Sequence, residues 1–85
     1  MQTDLSSIKS SLVDFIKENL AADGVIFTFE TPLEQLGLDS FSIIEIVLFI
    51  ERTYNLELPD NALTKENVYS VDALSKCVHQ YLSEK

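Results

Sequence analysis

The stretch Leu36-Gly37-Leu38-Asp39-Ser40-Phe41 decides how the sequence is interpreted, because it joins a short turn to a long apolar run. The turn ends at Gly37, and the apolar run begins directly after the Asp-Ser pair. The Ser40 hydroxyl is thereby placed at the start of a helix, where backbone N–H groups lack partners within the helix. Two interpretations follow: Ser40 is the N-cap of this helix, or it is a point of covalent attachment.

Hydrophobic periodicity predicts one helix before this stretch and three after it. We expect the first helix at about 4–22, and a loop with a short turn over 23–39. The second helix is expected at about 40–54, a short helix at about 64–69, and the last at about 71–83. The run 25–29 is rich in β-branched and aromatic residues, but it has no second strand to pair with and is interpreted as an extended loop. The sequence therefore predicts an all-α fold, a four-helix bundle with three longer helices and one short helix.

The loop before Ser40 contains a helix-start signal. In Thr31-Pro32-Leu33-Glu34, the spacing of Thr31 and Glu34 is that of a capping box, with Pro32 at the first helical position. We expect one short helical turn that leads to Gly37. Earlier in the same loop, we expect Ile26 or Phe27, together with Phe29, to lie on the core.

The second helix has more apolar residues than one buried face needs. One stripe is predicted to be buried and consists of Ile43, Ile46, Val47, Ile50 and Tyr54. A neighbouring stripe, which a domain of this size does not fully bury, consists of Phe41, Ile44 and Leu48. Phe49 shares a third face with polar residues, so we expect it to be partly exposed.

Composition limits the possible functions. The 85 residues are expected to form a single domain, 1–85, and the net charge of −8 argues against nucleic acid or an anionic membrane surface as a partner. The longest apolar run, 46–50, is too short for membrane insertion, and no secretory signal is visible at the N-terminus. Cys77 is the single cysteine and His79 the single histidine, so we expect no internal disulfide, no metal site and a reducing cytoplasmic location.

Enzyme signatures are weak. Ser40 does not lie in a Gly-x-Ser-x-Gly elbow, and His79 lies far along the chain on the last predicted helix. Two glycines cannot build a Gly-rich phosphate loop. A hydrolase built on Ser40 and His79 is therefore the last-ranked hypothesis, and we expect no catalytic residue.

Three motifs, in this order, resemble the acyl carrier protein family, which includes peptidyl and D-alanyl carrier domains. Leu33-x-x-Leu36-Gly37-Leu38-Asp39-Ser40-Phe41 is similar to the phosphopantetheine attachment motif of that family. Leu56-Glu57-Leu58-Pro59-Asp60 resembles the loop that closes helix two, and Asn67-Val68-Tyr69-Ser70-Val71-Asp72-Ala73-Leu74 resembles the join between helices three and four. The resemblance covers nearly the whole chain.

The resemblance implies a use for Ser40. Its hydroxyl would receive the 4′-phosphopantetheine arm of coenzyme A as a phosphodiester, and cargo would travel on the thiol of the arm as a thioester. Asp39, the adjacent motif residue, is expected to cap the helix or to be read by the transferase. The protein would then be a carrier and not an enzyme, and cargo would fold back between helices two and three.

The resemblance also implies partners. These are a phosphopantetheinyl transferase and acyl-loading, condensing or transferring enzymes with basic patches, which would meet helix two at Phe41, Glu45, Leu48 and Glu51. Arg52 occupies a position that is often acidic in the family, so this helix is less acidic and more apolar than in typical fatty-acid carriers.

Several alternatives stay open at this point. We expect a discrete, monomeric carrier of fatty-acid, polyketide or specialised lipid biosynthesis. An aminoacyl, peptidyl or D-alanyl carrier is an alternative, as is an unmodified helical interaction module. In the interaction module Ser40 is only an N-cap, and Ser40→Ala costs about 1 kcal/mol.

Overall fold

A computed structural model of the protein describes residues 4–20 and 24–84. In this part of the chain there are three α-helices, α1 (Leu5–Asn19), α2 (Ser40–Tyr54) and α3 (Val71–Ser83). Two 3₁₀ helices, Leu33–Leu36 and Asp60–Ala62, lie in the connections, and the described residues contain no strand. The all-α prediction is confirmed.

Helix α1 begins at a side-chain cap and buries one stripe. The Asp4 carboxylate accepts a hydrogen bond from the Ser7 N–H at 2.8 Å. Ile8, Leu12 and Ile16 recur every four residues, so they share one face of the helix, and all three are fully buried. The helix was expected to reach residue 22, and residues 21–23 lie outside the described part of the chain.

The core joins all three helices and the connections between them. Helix α1 packs more extensively against α3 than against α2. The connections add leucines on both sides of α2. The buried cluster consists of Ile8, Leu12, Ile16, Leu33, Leu38, Ile46, Val47, Ile50, Leu56, Leu58, Val71, Leu74 and Val78.

The short helix predicted at about 64–69 is not confirmed. Residues 65–68 form a turn, in which the Val68 N–H donates to the Thr64 carbonyl at 3.0 Å. The Asn67 side chain donates instead to the Ala62 carbonyl at 2.7 Å, back toward the preceding 3₁₀ helix. Ser70 caps α3, since its Oγ accepts from the Ala73 N–H at 3.2 Å. The residues between the Asn67 side-chain bond and the Ser70 cap are too few to sustain a regular helix.

The connection over 24–39 is an extended loop that is tied to the start of α3. The Asp72 N–H donates to the Phe29 carbonyl, and the Leu33 N–H donates to the Tyr69 carbonyl, each at 2.8 Å. Phe27 packs against the core, whereas Ile26 is 93% exposed, so Phe27 is the residue that the loop lays inward. The expectation that Phe29 lies on the core holds only in part, because 41% of this residue is exposed.

The capping box predicted in this loop does not form. Thr31 Oγ1 accepts from the Thr28 N–H at 3.0 Å, within the loop itself. The 3₁₀ helix Leu33–Leu36 follows Pro32 and has no side-chain cap. The short helical turn is present as predicted, but the side chain expected to cap it is engaged elsewhere.

Candidate functional site

Ser40 is the first residue of α2, and its side chain is exposed. The N-cap is Asp39, whose carboxylate accepts from the Ser42 N–H at 3.0 Å. The interpretation of Ser40 as the N-cap is therefore wrong, and the expectation that Asp39 caps the helix is confirmed. Within the described part of the chain, no side-chain hydrogen bond engages the Ser40 hydroxyl. The hydroxyl is thus available for chemistry at no cost to the start of the helix.

The backbone changes direction at Gly37, before it reaches Ser40. This residue ends the 3₁₀ helix with a φ of 78°, in the left-handed region that glycine tolerates, and its N–H donates to the Glu34 carbonyl at 3.1 Å. Leu38 then enters the core, with 7% of its surface exposed. One buried leucine therefore anchors the Asp-Ser pair, both residues of which are exposed.

Charge at this position is set by Asp39. The hydrogen bond from the Ser42 backbone holds the pKa of the Asp39 carboxyl below its ordinary value of 3.8. The carboxylate is therefore ionised at neutral pH and lies at the positive end of the helix dipole. The same helix end favours a phosphate on the neighbouring Ser40.

A groove of about 930 Å³ begins at Ser40 and runs between α2 and residues 58–69. Its apolar lining comes from Leu33, Leu38, Ile43, Ile44, Val47, Leu48, Leu58, Leu63, Val68 and Tyr69. Its polar and charged lining comes from Glu34, Asp39, Ser40, Glu51, Asp60 and Lys65. The arrangement provides an open apolar channel with the Ser40 hydroxyl at one end.

Three apolar side chains of α2 form an exposed strip next to this groove. Phe41 is 68% exposed, Ile44 56% and Leu48 45%, and their spacing places them on one face of the helix. We call these three residues the apolar strip. Two of its members, Ile44 and Leu48, also line the groove.

The two glutamates predicted for docking lie in different settings. Glu45 is half-buried and lines a shallow depression together with Phe49 and Arg52, next to the stacked rings of Phe15 and Phe49, whose centroids are 4.4 Å apart. Glu51 lies in the last turn of α2, lines the groove, and accepts a hydrogen bond from the Leu58 N–H on its Oε2 at 3.0 Å. The structure therefore does not bring Glu45 and Glu51 together in one acidic patch.

The sequence predicted that cargo lies between helix two and the segment at about 64–69, but it did not identify the residues that form this second wall of the groove. Leu63, Lys65, Val68 and Tyr69 face Ser40's helix across the channel, and Tyr69 is 53% exposed. An exposed aromatic residue directly before the Ser70 cap was the available signal. Its meaning depends on the path of the loop, which local patterning does not give.

The remaining reactive side chains lie away from this site. His79 and Cys77 are on α3, and neither lines the groove. Cys77 is buried, which raises the pKa of its thiol. No group of three or more His, Cys, Asp or Glu residues within 4–20 and 24–84 is arranged to hold a metal ion. Over the same residues, no helix has the length and apolarity needed to cross a membrane.

Comparison with known proteins assigns the chain to a class. The family model described as "Phosphopantetheine attachment site" matches residues 10–78. An acyl carrier protein of Amoebophilus asiaticus is 30% identical over 82 residues, which are 95% of this chain and 100% of that protein. The chain therefore contains a phosphopantetheine attachment domain, and the class of protein is a carrier. It belongs to the acyl carrier protein family.

Other relatives differ in what they carry or in size. An aminoacyl carrier protein of Agrobacterium fabrum is 34% identical over 56 residues, 66% of this chain and 68% of that protein. The orsellinic acid synthase ArmB of Armillaria ostoyae is 34% identical over 88 residues, 100% of this chain but 4% of that much larger protein. The family membership makes covalently attached 4′-phosphopantetheine the cofactor. The exposed hydroxyl of Ser40, which no side-chain hydrogen bond engages among the described residues, lies next to an open apolar groove and fits such an arm.

Proposed function

We propose that the protein is a non-catalytic shuttle that carries acyl or related intermediates on a 4′-phosphopantetheine arm attached to Ser40. The observation that carries this proposal is that two neighbouring residues have different roles at the start of α2. Asp39 caps the helix, and Ser40 is left exposed with its hydroxyl unengaged. A serine that stabilises a helix start is favoured at the cap position, and here Asp39 occupies that position.

Attachment of the arm requires one substitution at phosphorus. The Ser40 Oγ–H loses its proton, Oγ bonds to the phosphorus that bears pantetheine in coenzyme A, and the pyrophosphate bond breaks. Adenosine 3′,5′-bisphosphate leaves, and a phosphodiester remains at Ser40. Its negative charge would lie at the N-terminus of α2, where the helix dipole favours an anion. The bound arm supplies a terminal thiol on which cargo is held as a thioester.

The groove supports an apolar cargo. Its lining is mainly aliphatic, and it starts at the attachment point, so a fatty-acyl, polyketide or specialised lipid chain would be sheltered there. An aminoacyl, peptidyl or D-alanyl group is the alternative, and likeness to the aminoacyl carrier of Agrobacterium fabrum keeps it open. A polar aminoacyl group would gain less from an aliphatic channel, so the acyl carrier is preferred.

Docking on partner enzymes is assigned to α2, with Phe41, Glu45, Leu48 and Glu51 as the contact residues. The partners are a phosphopantetheinyl transferase and acyl-loading, condensing or transferring enzymes with basic patches, which the chain charge of −8 would attract. Phe41 is the most exposed member of the apolar strip and would act as the anchor. Phe41→Ala is expected to lower kcat/KM for the transferase about tenfold, a loss of about 1.4 kcal/mol, with the fold unchanged.

The carrier is further proposed to act as a monomer in the cytoplasm. Its one cysteine, Cys77, is free and buried, which suits a reducing compartment.

Intact-mass spectrometry tests the proposal directly. The protein is incubated with coenzyme A, magnesium and a broad-specificity phosphopantetheinyl transferase. Wild type and the control Ser42→Ala, two residues further along α2, should each gain the mass of one phosphopantetheine, and Ser40→Ala should gain nothing. A gain on Ser40→Ala would overturn the assignment of the site. No gain on wild type, from this incubation or in protein purified from its native host, would leave a helical interaction module in place of a carrier.

A further inference from the structure

Glu51 holds the chain that follows α2 at three points. Its carbonyl accepts the N–H groups of Asn55 and Leu56, the latter at 3.1 Å, where the backbone leaves the helix through the left-handed conformation of Asn55. Its carboxylate then reaches past this turn to the Leu58 N–H at 3.0 Å. Within the described residues, this is the only side-chain hydrogen bond that joins α2 to residues 56–69.

The Leu58 contact lies at the end of the groove that is farthest from Ser40 along α2. Leu58 is the first residue of the wall that faces α2, and 6% of it is exposed. Glu51 itself lines the groove eleven positions after Ser40, a distance of about 16 Å along a helix. The carboxylate therefore fastens the two walls together at the end opposite the attachment point.

We propose that Glu51 is a positioning residue that closes the distal end of the groove and thereby limits the length of apolar cargo that the groove shelters. This inference rests on the proposed function for the presence of a cargo. It gives Glu51 a task in addition to docking, because one oxygen of its carboxylate is bonded to the backbone of its own chain.

The chemistry of the bond supports this task. A carboxylate that accepts from a backbone N–H makes a charge-assisted hydrogen bond, which is stronger than a bond between neutral groups. Leu58 is buried on the apolar side of the loop, so its N–H has little other access to water or to partners. Loss of the carboxylate would leave this N–H unpaired, and the wall that starts at Leu58 would move away from α2.

Amide hydrogen exchange measured by NMR on the unmodified protein tests the fastening. Glu51→Ala should raise the exchange rate of the Leu58 amide about tenfold, which corresponds to about 1.4 kcal/mol, and should raise rates further along the wall at Leu63. Glu51→Gln keeps an acceptor oxygen but loses the charge, so it should keep only part of the protection. Glu57→Ala removes an exposed carboxylate of the same segment and should leave Leu58 unchanged.

The length limit is tested with arms of increasing size. Wild type and the variants are loaded at Ser40 from hexanoyl-, decanoyl- and tetradecanoyl-coenzyme A, and the melting temperature is measured. In wild type the stabilisation should level off once the cargo fills the groove. In Glu51→Ala the melting temperature should continue to rise up to a longer acyl chain than in wild type. If Glu51 acted only in docking, its substitution would change neither the exchange rate of the Leu58 amide nor the dependence of the melting temperature on acyl-chain length.

The outcomes separate the two proposals. Unchanged Leu58 exchange in Glu51→Ala, or the same levelling in wild type and variant, would overturn the role of Glu51. If Glu51→Ala does not fold, partial loss of Leu58 protection in Glu51→Gln supports the fastening, and unchanged protection overturns it. If Ser40 accepts no arm, the carrier function and the length limit fall together, while the exchange experiment still decides whether Glu51 holds Leu58.

Discussion

Two serines at helix starts give a matched test of what Ser40 does. Ser70 is a true N-cap: its Oγ accepts from the Ala73 N–H at 3.2 Å, and it is 4% exposed. Removal of such a cap costs about 1 kcal/mol, which for a domain of this size lowers the melting temperature by about 4–8 °C. Ser40 is exposed and makes no cap, and alanine is a good helix former, so Ser40→Ala should change stability by at most about 0.5 kcal/mol.

The assay is thermal unfolding of the unmodified protein, followed by circular dichroism, with wild type, Ser40→Ala and Ser70→Ala in parallel. Ser70→Ala should melt several degrees lower and should still accept phosphopantetheine below its melting temperature. Ser40→Ala should lose at most about half as much and should accept none. Equal destabilisation by the two substitutions would refute the reasoning, because Ser40 would then stabilise the start of α2 as a cap, the role assigned to Asp39.

Three further outcomes are expected. Ile46→Ala, at a fully buried position, should cost about 2–5 kcal/mol in urea denaturation, whereas Ile44→Ala, at a position that is 56% exposed, should cost less than about 1 kcal/mol; similar costs would contradict the burial of α2. The pKa of Asp39 in the folded state is below its ordinary value of 3.8. Its contribution to stability is therefore complete above pH 3.8 and is lost as the pH falls through the lower folded-state pKa. Asp39→Asn should weaken this fall of the melting temperature at acid pH. Cys77 is buried and the pKa of its thiol is raised, so iodoacetamide should not label the native unmodified protein. Intact mass should show one label when the protein is unfolded in urea. The thiol of the arm in the modified protein should be labelled without urea.

The helices were predictable because their signals are local. The spacing of Ile8, Leu12 and Ile16 defines a buried stripe, and Ser70 directly precedes an apolar helical pattern, so neither depends on distant contacts. The errors arose where one side chain had two possible partners. Thr31 could cap a helix or bond to Thr28, and the structure has the bond to Thr28. Asn67 bonds back to Ala62, which leaves a turn where a short helix was expected.

The site was predictable in part for the same reason. Asp39 and Ser40 are identified by a short motif, and the exposure of Phe41 follows from an apolar stripe too wide for the core. The groove depends on where residues 58–69 lie, which is set by contacts distant in sequence. The carboxylate of Glu51 resembled a surface charge on a helix. Its bond to Leu58 appears only once the path of the loop is known.

The close packing of α1 on α3 has a consequence for synthesis in the cell. Helix α1 leaves the ribosome before α3, so it finds its main partner only once α3 has emerged. Until then the stripe around Leu12 stays uncovered and available to chaperones. The helix start that presents Ser40 is held by this same core. We therefore expect a transferase to act only after α3 has emerged and the domain has folded.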